Sequence, residues 1–100
     1  MRQFDVYPNP STETRAYAPH IVVLQSHYVE LETVVIAPLV TDARELDPID
    51  IAVTFNDGPF VVAISELGSV SRSRLKRRLG SLSEHQDEIR RALERLFSGF

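Results

Sequence analysis

Five short stretches of the chain either alternate apolar and polar residues or are rich in β-branched ones, and each predicts a β-strand. The clearest alternation runs through Ile49, Ile51, Val53 and Phe55. In the third stretch, Pro38 indicates an edge strand or a strand end, because proline has no N–H to donate to a neighbouring strand. The five stretches are residues 3–7, 20–25, 33–39, 49–55 and 60–64.

The last two stretches predict a β-hairpin. They are joined by Asn56-Asp57-Gly58-Pro59, which are residue types typical of tight turns. Gly58 is expected to adopt the positive φ of the turn, because it has no Cβ to clash with the backbone.

The first stretch predicts a half-buried strand, followed by a polar loop to about residue 15. Phe4 and Val6 fall on one side of this strand, and Asp5 and Tyr7 fall on the other. The polar segment 41–47 is compatible with a short helical turn.

Residues 69–80 allow two interpretations. Leu75, Leu79 and Leu82 have helical spacing, whereas Val70, Arg72 and Arg74 alternate as in a strand. We favour a strand followed by a turn.

The end of the chain predicts an amphipathic helix that Ser98-Gly99 should terminate. Ser83 with Gln86 three positions later has the pattern of a capping box. The apolar stripe consists of Ile89, Leu93, Leu96 and Phe100, flanked by Ala92 and Phe97.

Together these elements predict a mainly β protein with a C-terminal α-helix. A chain of 100 residues forms one domain, residues 1–100. Short strands and one helix favour a small, curled antiparallel sheet or barrel of about five strands, of the SH3-like type.

Composition excludes several classes of site and compartment. The chain has no cysteine, and therefore no disulfide, iron–sulfur cluster or cysteine nucleophile. Its N-terminus has no apolar segment of signal-peptide length, and the longest apolar stretch, near residues 34–40, is too short to span a bilayer. We therefore expect a cytoplasmic protein without membrane contact.

Charge is distributed unevenly along the chain. Residues 1–71 hold ten acidic residues against three arginines, whereas residues 72–100 hold eight basic residues against four acidic ones. The basic run consists of Arg72, Arg74, Lys76, Arg77 and Arg78. It is either a solvated face or a contact for phosphates or an acidic protein segment. It contains no aromatic residue for base stacking, and the net charge of the chain is −3, so an acidic peptide is favoured over nucleic acid.

No catalytic, metal or cofactor site stands out. The three histidines lack metal-ligand spacing, and the four glycines are not clustered in a phosphate loop. Ser83, His85 and Asp87 cannot converge as a triad, because His85 faces away from the other two on a helix. The apolar ending Leu96-Phe97-Ser98-Gly99-Phe100 remains to be explained, either by burial within the chain or a dimer, or by contact with a partner.

Five segments, in this order and spacing, resemble the CcdB toxins of plasmid-addiction systems, with one inserted alanine, Ala37, in the third segment. The segments are Gln3-Phe4-Asp5-Val6-Tyr7, His20-Ile21-Val22-Val23-Leu24-Gln25-Ser26, Val35-Ile36-Ala37-Pro38-Leu39, Ser69-Val70, and the terminal helix with its tail. The resemblance implies a curled antiparallel sheet, a C-terminal helix and a symmetric homodimer. It also implies a toxin that binds the gyrase A subunit, traps the gyrase–DNA cleavage complex, and is neutralised by a CcdA-like antitoxin. Nucleic acid would then be contacted only through gyrase or the antitoxin.

The resemblance also implies which residues bind each partner. The gyrase-binding residues carried over are Tyr28, Val29, Arg91, Phe97, Ser98, Gly99 and Phe100. Some family members have a tryptophan at the position of Ser98, which stacks on a gyrase arginine; Phe100 can partly replace it through an aromatic–guanidinium contact.

Other departures concern the antitoxin. His27 replaces a family aspartate, and Ser71 stands where a proline is common. Lys76-Arg77-Arg78 replaces a stretch that is often glycine followed by acids. We therefore expect an acidic antitoxin tail on the basic run, Arg72, Arg74, Lys76, Arg77 and Arg78.

Two alternatives remain open. One is an endoribonuclease toxin of the MazF/Kid type, which has a similar small barrel but usually carries a glycine-aspartate motif on its first strand, where this chain has only Asp5. The other is a non-toxic CcdB-derived dimer that binds an antitoxin, an interpretation that Ser98 favours.

Overall fold

A computed structural model describes residues 1–41 and 47–99, and within them it has a curled antiparallel sheet and one C-terminal α-helix. The strands are β1 Asp5–Pro8, β2 His20–Val23, β3 Thr33–Val40, β4 Ile51–Phe55, β5 Gly58–Val62, β6 Gly68–Ser71 and β7 Gly80–Ser81. The helix is α1, Gln86–Ser98, and 3₁₀ turns span Ile64–Glu66, Arg72–Arg74 and Ser83–His85.

The fold class is confirmed, with seven strands in the described residues instead of about five. The additional strands β6 and β7 are too short to give a clear alternation. The helical turn expected within residues 41–47, and Phe100, lie outside the described residues.

The sheet order is β4-β5-β3-β2-β1-β7, with β6 also paired to β3. All pairs are antiparallel. The sheet curls until its two end strands meet: a Cβ on Gly80 of β7 would lie 2.8 Å from Cε1 of Phe55 on β4. Only glycine allows this approach without a shift of the ring, so Gly80 is part of what closes the curl.

Pro38 does not mark an edge, because β3 has three neighbouring strands. On one side of β3, residues 33–36 pair with β6 and residues 39–40 pair with β5. Pro38 lies between these two partners, and its carbonyl accepts a hydrogen bond from the Ala63 N–H at 3.0 Å. Pro38 does lie near the end of β3, as one of the two expectations had it, but the alternative of an edge strand was wrong, because β3 has neighbours on both sides.

The first strand is buried on both faces, not half-buried as expected. Val6 packs in the main core beneath α1, and Tyr7 packs in a second cluster with Leu75. Burial raises the pKa of the Tyr7 hydroxyl, and the carboxylate of Asp5 adds to this effect. The second cluster exists because the segment after β6 folds back across the sheet and covers its outer face.

The hairpin is confirmed, but its turn differs in detail. Asn56 and Asp57 have φ of 50° and 63°, whereas Gly58 does not take a positive φ and already pairs with Phe55. Two consecutive left-handed residues form the two-residue turn that matches strand twist, and Asn and Asp are the non-glycine residues that tolerate it.

Residues 69–80 contain a strand, as favoured, followed by a 3₁₀ turn and an irregular segment into β7. The helical spacing of Leu75, Leu79 and Leu82 does not produce a helix. Leu75 lies in the second cluster, and Leu82 is fully buried in the main core. These leucines are spaced to reach the two sides of the sheet as the chain crosses it.

The predicted capping box of Ser83 and Gln86 does not form. The α-helix begins at Gln86, and Ser83 opens a 3₁₀ turn without a side-chain cap. Instead, His85 Nδ1 lies 3.1 Å from Oε1 of Glu88. The end of the helix is as predicted, since Gly99 adopts φ of 76° and its N–H donates to the Arg95 carbonyl at 3.0 Å.

Candidate partner-binding surface

The apolar stripe of α1 is longer than the core that it covers. Ile89 is 0% exposed and Ala92 is buried, and both belong to the main core beside Ile64. Further along the same helix, Leu96 is exposed and Phe97 is 72% exposed. Burial within the described chain therefore does not explain the apolar ending.

The left-handed cap at Gly99 fixes where the chain leaves the helix. Its φ of 76° is a conformation that residues with a Cβ rarely adopt, and no atom lies within 4 Å of a Cβ built there. Ser98 is exposed as the last helical residue. Phe97, Ser98 and Gly99 thus form one exposed helix end, and Phe100 lies outside the described residues.

A second apolar segment is the bend between β2 and β3, where Tyr28 is 86% exposed and Val29 and Leu31 are exposed. Gln25 holds this bend: its Nε2 donates to the Val29 carbonyl at 2.8 Å, and its Oε1 accepts from the Val35 N–H at 3.3 Å. The bend is therefore ordered by hydrogen bonds while its apolar side chains face solvent.

Ser26 and His27 complete the bend. The Val29 N–H donates to the Ser26 carbonyl at 3.0 Å, and the His27 and Tyr28 rings lie 4.3 Å apart between centroids. Among the described residues, no hydrogen bond, ion pair or ring contact joins this bend to the helix end. A single chain thus presents two separate apolar segments.

Arg91 lies on a different face of the helix from Phe97. Six residues correspond to a rotation of about 120° around the axis, so these two side chains diverge, whereas Arg91 and Ser98 are seven residues apart and share a face. Arg91 lines a cavity of about 280 Å³ with Arg95, next to Asp50 and Glu88. The gyrase-binding residues carried over from the resemblance therefore occupy more than one face of the helix.

Three of the five residues of the basic run hold parts of the fold together. Arg72 Nε donates to the Leu31 carbonyl at 2.8 Å, and Arg74 Nη2 donates to the Pro10 carbonyl at 2.7 Å. Arg78 Nε lies 3.0 Å from Oδ1 of Asp5. Lys76 and Arg77 are exposed and, within residues 1–41 and 47–99, have no ion pair or side-chain hydrogen bond.

The ion pair between Asp5 and Arg78 was not predicted from the sequence. Asp5 is 3% exposed although it carries a carboxylate, and its Oδ2 accepts from the Arg2 N–H at 2.9 Å. The partner residues are 73 positions apart. An acid inside an otherwise apolar strand was the only local signal, because a buried charge requires a partner.

The described residues give little support for a catalytic triad, a metal site or a membrane-spanning helix. His85 is paired with Glu88 and not with Ser83 or Asp87. Within the described residues no group of His, Asp and Glu could hold a metal ion. No helix in this part of the chain is long and apolar enough to cross a membrane.

Comparison with protein families finds a match over most of the chain. The family model described as CcdB protein matches residues 3–99, which is nearly the whole chain. No curated protein matches the sequence.

Proposed function

The chain belongs to the CcdB family, whose members are toxins of toxin–antitoxin systems, and we propose that it binds the gyrase A subunit and traps the gyrase–DNA cleavage complex. It acts as a binding protein and not as an enzyme. The observation that carries the proposal is the end of α1, where Phe97 is 72% exposed, whereas the apolar residues Ile89 and Ala92 earlier in the helix are buried.

An exposed aromatic residue beside a fixed helix cap has the features of a binding hot spot. Aromatic side chains dominate interface energies because they remove a large apolar area from water and lose little conformational entropy. The left-handed Gly99 sets the direction of the chain after Phe97, which reduces the entropy that binding would otherwise cost.

Homodimerisation is part of the proposal, because one chain offers only one helix end. Two copies related by a twofold axis place two helix ends beside each other, and together they form a larger apolar surface. The bend with Tyr28 and Val29 then contributes from each copy. Arg91, on another face of the helix, supplies a cation at the edge of the surface.

The antitoxin contact is proposed for the basic run, in which Lys76 and Arg77 are the residues free to receive an acidic tail. Arg72, Arg74 and Arg78 are held by Leu31, Pro10 and Asp5, and each keeps guanidinium N–H groups beyond the one it uses there. We expect the double variant Lys76→Glu with Arg77→Glu to lower antitoxin affinity at low salt. This pair is preferable to a variant at Arg78, because it leaves the ion pair with Asp5 intact. Unchanged affinity would exclude Lys76 and Arg77 as antitoxin contacts.

The experiment for gyrase poisoning is a cleavage assay with supercoiled plasmid, purified gyrase and ATP. The wild-type protein is expected to accumulate linear DNA, and a variant ending at Phe97 is expected not to. Glu94→Ala is the matched control, since Glu94 is exposed on the same helix outside the apolar stripe.

If linear DNA does not accumulate with gyrases from several bacteria, gyrase poisoning is wrong for this chain. If it accumulates equally with the shortened variant, poisoning stands and Ser98, Gly99 and Phe100 are not required for it. Some family members carry tryptophan at the position of Ser98. The comparison of the wild-type protein with the variant ending at Phe97 therefore tests whether a tail with serine still contributes to poisoning.

A further inference from the structure

A polar cleft of about 410 Å³ is lined by none of the residues proposed to bind gyrase, although its residue His27 precedes Tyr28 in the bend. The N-terminal residues, the segment before α1 and the first turn of the helix form its walls. Its charged lining residues are Arg2, Asp5, Arg78 and Arg90, with His27 beside them.

Two of the three arginines are held in place by neighbouring groups. Arg78 Nε donates to the buried Asp5, while 55% of the Arg78 side chain remains exposed. The Arg90 guanidinium carbon lies 5.4 Å from the centroid of the Phe4 ring, and Arg90 Nη2 donates to Oε1 of Gln3 at 3.4 Å. Because each guanidinium has five N–H donors, both keep donors for a ligand.

The floor of the cleft contains a strained residue. Phe4 has φ of 73°, an outlier for a bulky side chain. Its N–H donates to the Val23 carbonyl at 2.7 Å and its carbonyl accepts from the Leu82 N–H at 2.8 Å, so the surrounding structure enforces this conformation. The turn at Phe4 brings the Arg2 backbone to Asp5. Such strain concentrates at binding sites, where it fixes the position of the groups that act.

The cleft is cationic on an acidic protein. Three arginines face one aspartate, although the whole chain has a net charge of −3. In addition, Nδ1 of His27 is buried and has no hydrogen-bond partner among the described residues. The three arginines therefore give the cleft more N–H donors than its one carboxylate can use.

We infer that this cleft binds a carboxylate side chain from an acidic peptide segment. One guanidinium group can donate two parallel hydrogen bonds to a carboxylate, and both Arg78 and Arg90 line the cleft with N–H donors to spare.

Size and charge favour a peptide over nucleic acid. A volume of about 410 Å³ holds one or two side chains, whereas nucleic-acid affinity depends on neutralising several phosphates along a strand. The negative charge of the rest of the chain repels such an extended polyanion. The cleft shares only Arg78 with the proposed antitoxin surface, so its failure would leave the proposed function untouched.

The test is an NMR titration of the full chain with a synthetic glutamate hexapeptide blocked at both ends, compared with the corresponding glutamine hexapeptide. The Nε–H signals of Arg78 and Arg90 should shift and saturate with the glutamate peptide only. Arg2→Gln and Arg90→Gln should each weaken binding about tenfold, as expected for the loss of a charge-assisted hydrogen bond. Arg15→Gln and Arg95→Gln, at arginines that do not line the cleft, are the matched controls and should change affinity little.

Three results would overturn the inference. The first is the absence of a saturable shift, and the second is an equal loss of affinity in the control variants, which would indicate only general charge attraction. The third is inorganic phosphate causing the same shifts at lower concentration than the peptide, which would indicate a small-anion site. Signals of folded protein in every variant ensure that the comparison reports binding.

Discussion

The two halves of α1 belong to one helix and one apolar stripe, yet they meet different surroundings. Ile89 and Ala92 in the first half are buried in the main core, whereas Leu96 and Phe97 in the second half face solvent. A periodic apolar pattern thus reports that a face avoids water, but not whether the same chain or a partner covers it. The first half stabilises the fold, and the second half is available to bind.

The largest effect is expected from Ile89→Ala. Removing a fully buried side chain from the core should lower the free energy of unfolding by about 2–4 kcal/mol, because a cavity remains where the side chain packed. Leu96→Ala is the matched change in the exposed half and should cost less than about 1 kcal/mol. Urea denaturation at one fixed protein concentration measures both. Equal losses would show that the second half is also buried, as within a dimer.

A smaller loss of stability is expected from Arg78→Gln. This variant tests whether the buried carboxylate of Asp5 depends on its ion pair with Arg78. This change leaves the carboxylate of Asp5 buried with only the Arg2 N–H, and should cost about 1–3 kcal/mol. The double variant Asp5→Asn with Arg78→Gln should recover part of that loss, since no charge remains unpaired. Arg77→Gln is the control on an exposed cation. A loss that is the same in the single and double variants would contradict the role of the ion pair.

Gly99→Ala should strain the exposed end of the helix by about 1–2 kcal/mol, because alanine disfavours the left-handed conformation. The effect should remain local, with faster amide exchange in the last turn and little change in the unfolding midpoint. Gly99→Asn should exchange more slowly than the alanine variant, since asparagine tolerates this conformation better. If alanine and asparagine behave alike, the left-handed cap is not what orders the helix end.

The smallest expected effect concerns pH and His20, which packs against Phe55 and Phe60 at the rim of the sheet. Burial lowers the pKa of His20, and a backbone hydrogen bond at Pro19 opposes this shift. Below the ordinary pKa of 6.5 the unfolded chain binds a proton that the folded chain does not. Stability is therefore full above pH 6.5 and decreases as the pH falls below it. Melting curves at pH 7.5 and pH 5.5 should show a slightly smaller pH difference for His20→Gln than for wild type, and an equal difference would contradict this assignment.

Local patterns predicted the fold class, the hairpin at Asn56–Asp57, and the helix with its end at Gly99. They failed where a residue's partner is distant in sequence. Pro38 indicated an edge because the change of partner strands at β3 is not encoded locally, and Tyr7 looked half-exposed because the covering Leu75 is far along the chain. Ser83 resembled a cap, but the helix begins later and His85 contacts Glu88 instead.

The candidate site was also predicted only in part from the sequence. The exposed ends, Phe97 and the bend at Tyr28, follow from residue type and the resemblance to the family. The roles of Arg72, Arg74 and Arg78 in holding other segments do not, because each bonds a residue more than 40 positions away. Of the five residues of the basic run, Lys76 and Arg77 are therefore exposed cations. The other three, Arg72, Arg74 and Arg78, bond other segments of the chain.

The central claim is that the end of α1 binds gyrase while its first half supports the fold. Its most direct test is a titration of the purified gyrase A subunit with wild-type protein and Phe97→Ala, with melting temperatures and molecular masses measured in parallel. The expected result is an unchanged melting temperature and mass together with a loss of affinity of about 30-fold, as for an aromatic hot spot. Unchanged affinity for gyrase A, or a loss that appears only together with unfolding or a lower molecular mass, would contradict it.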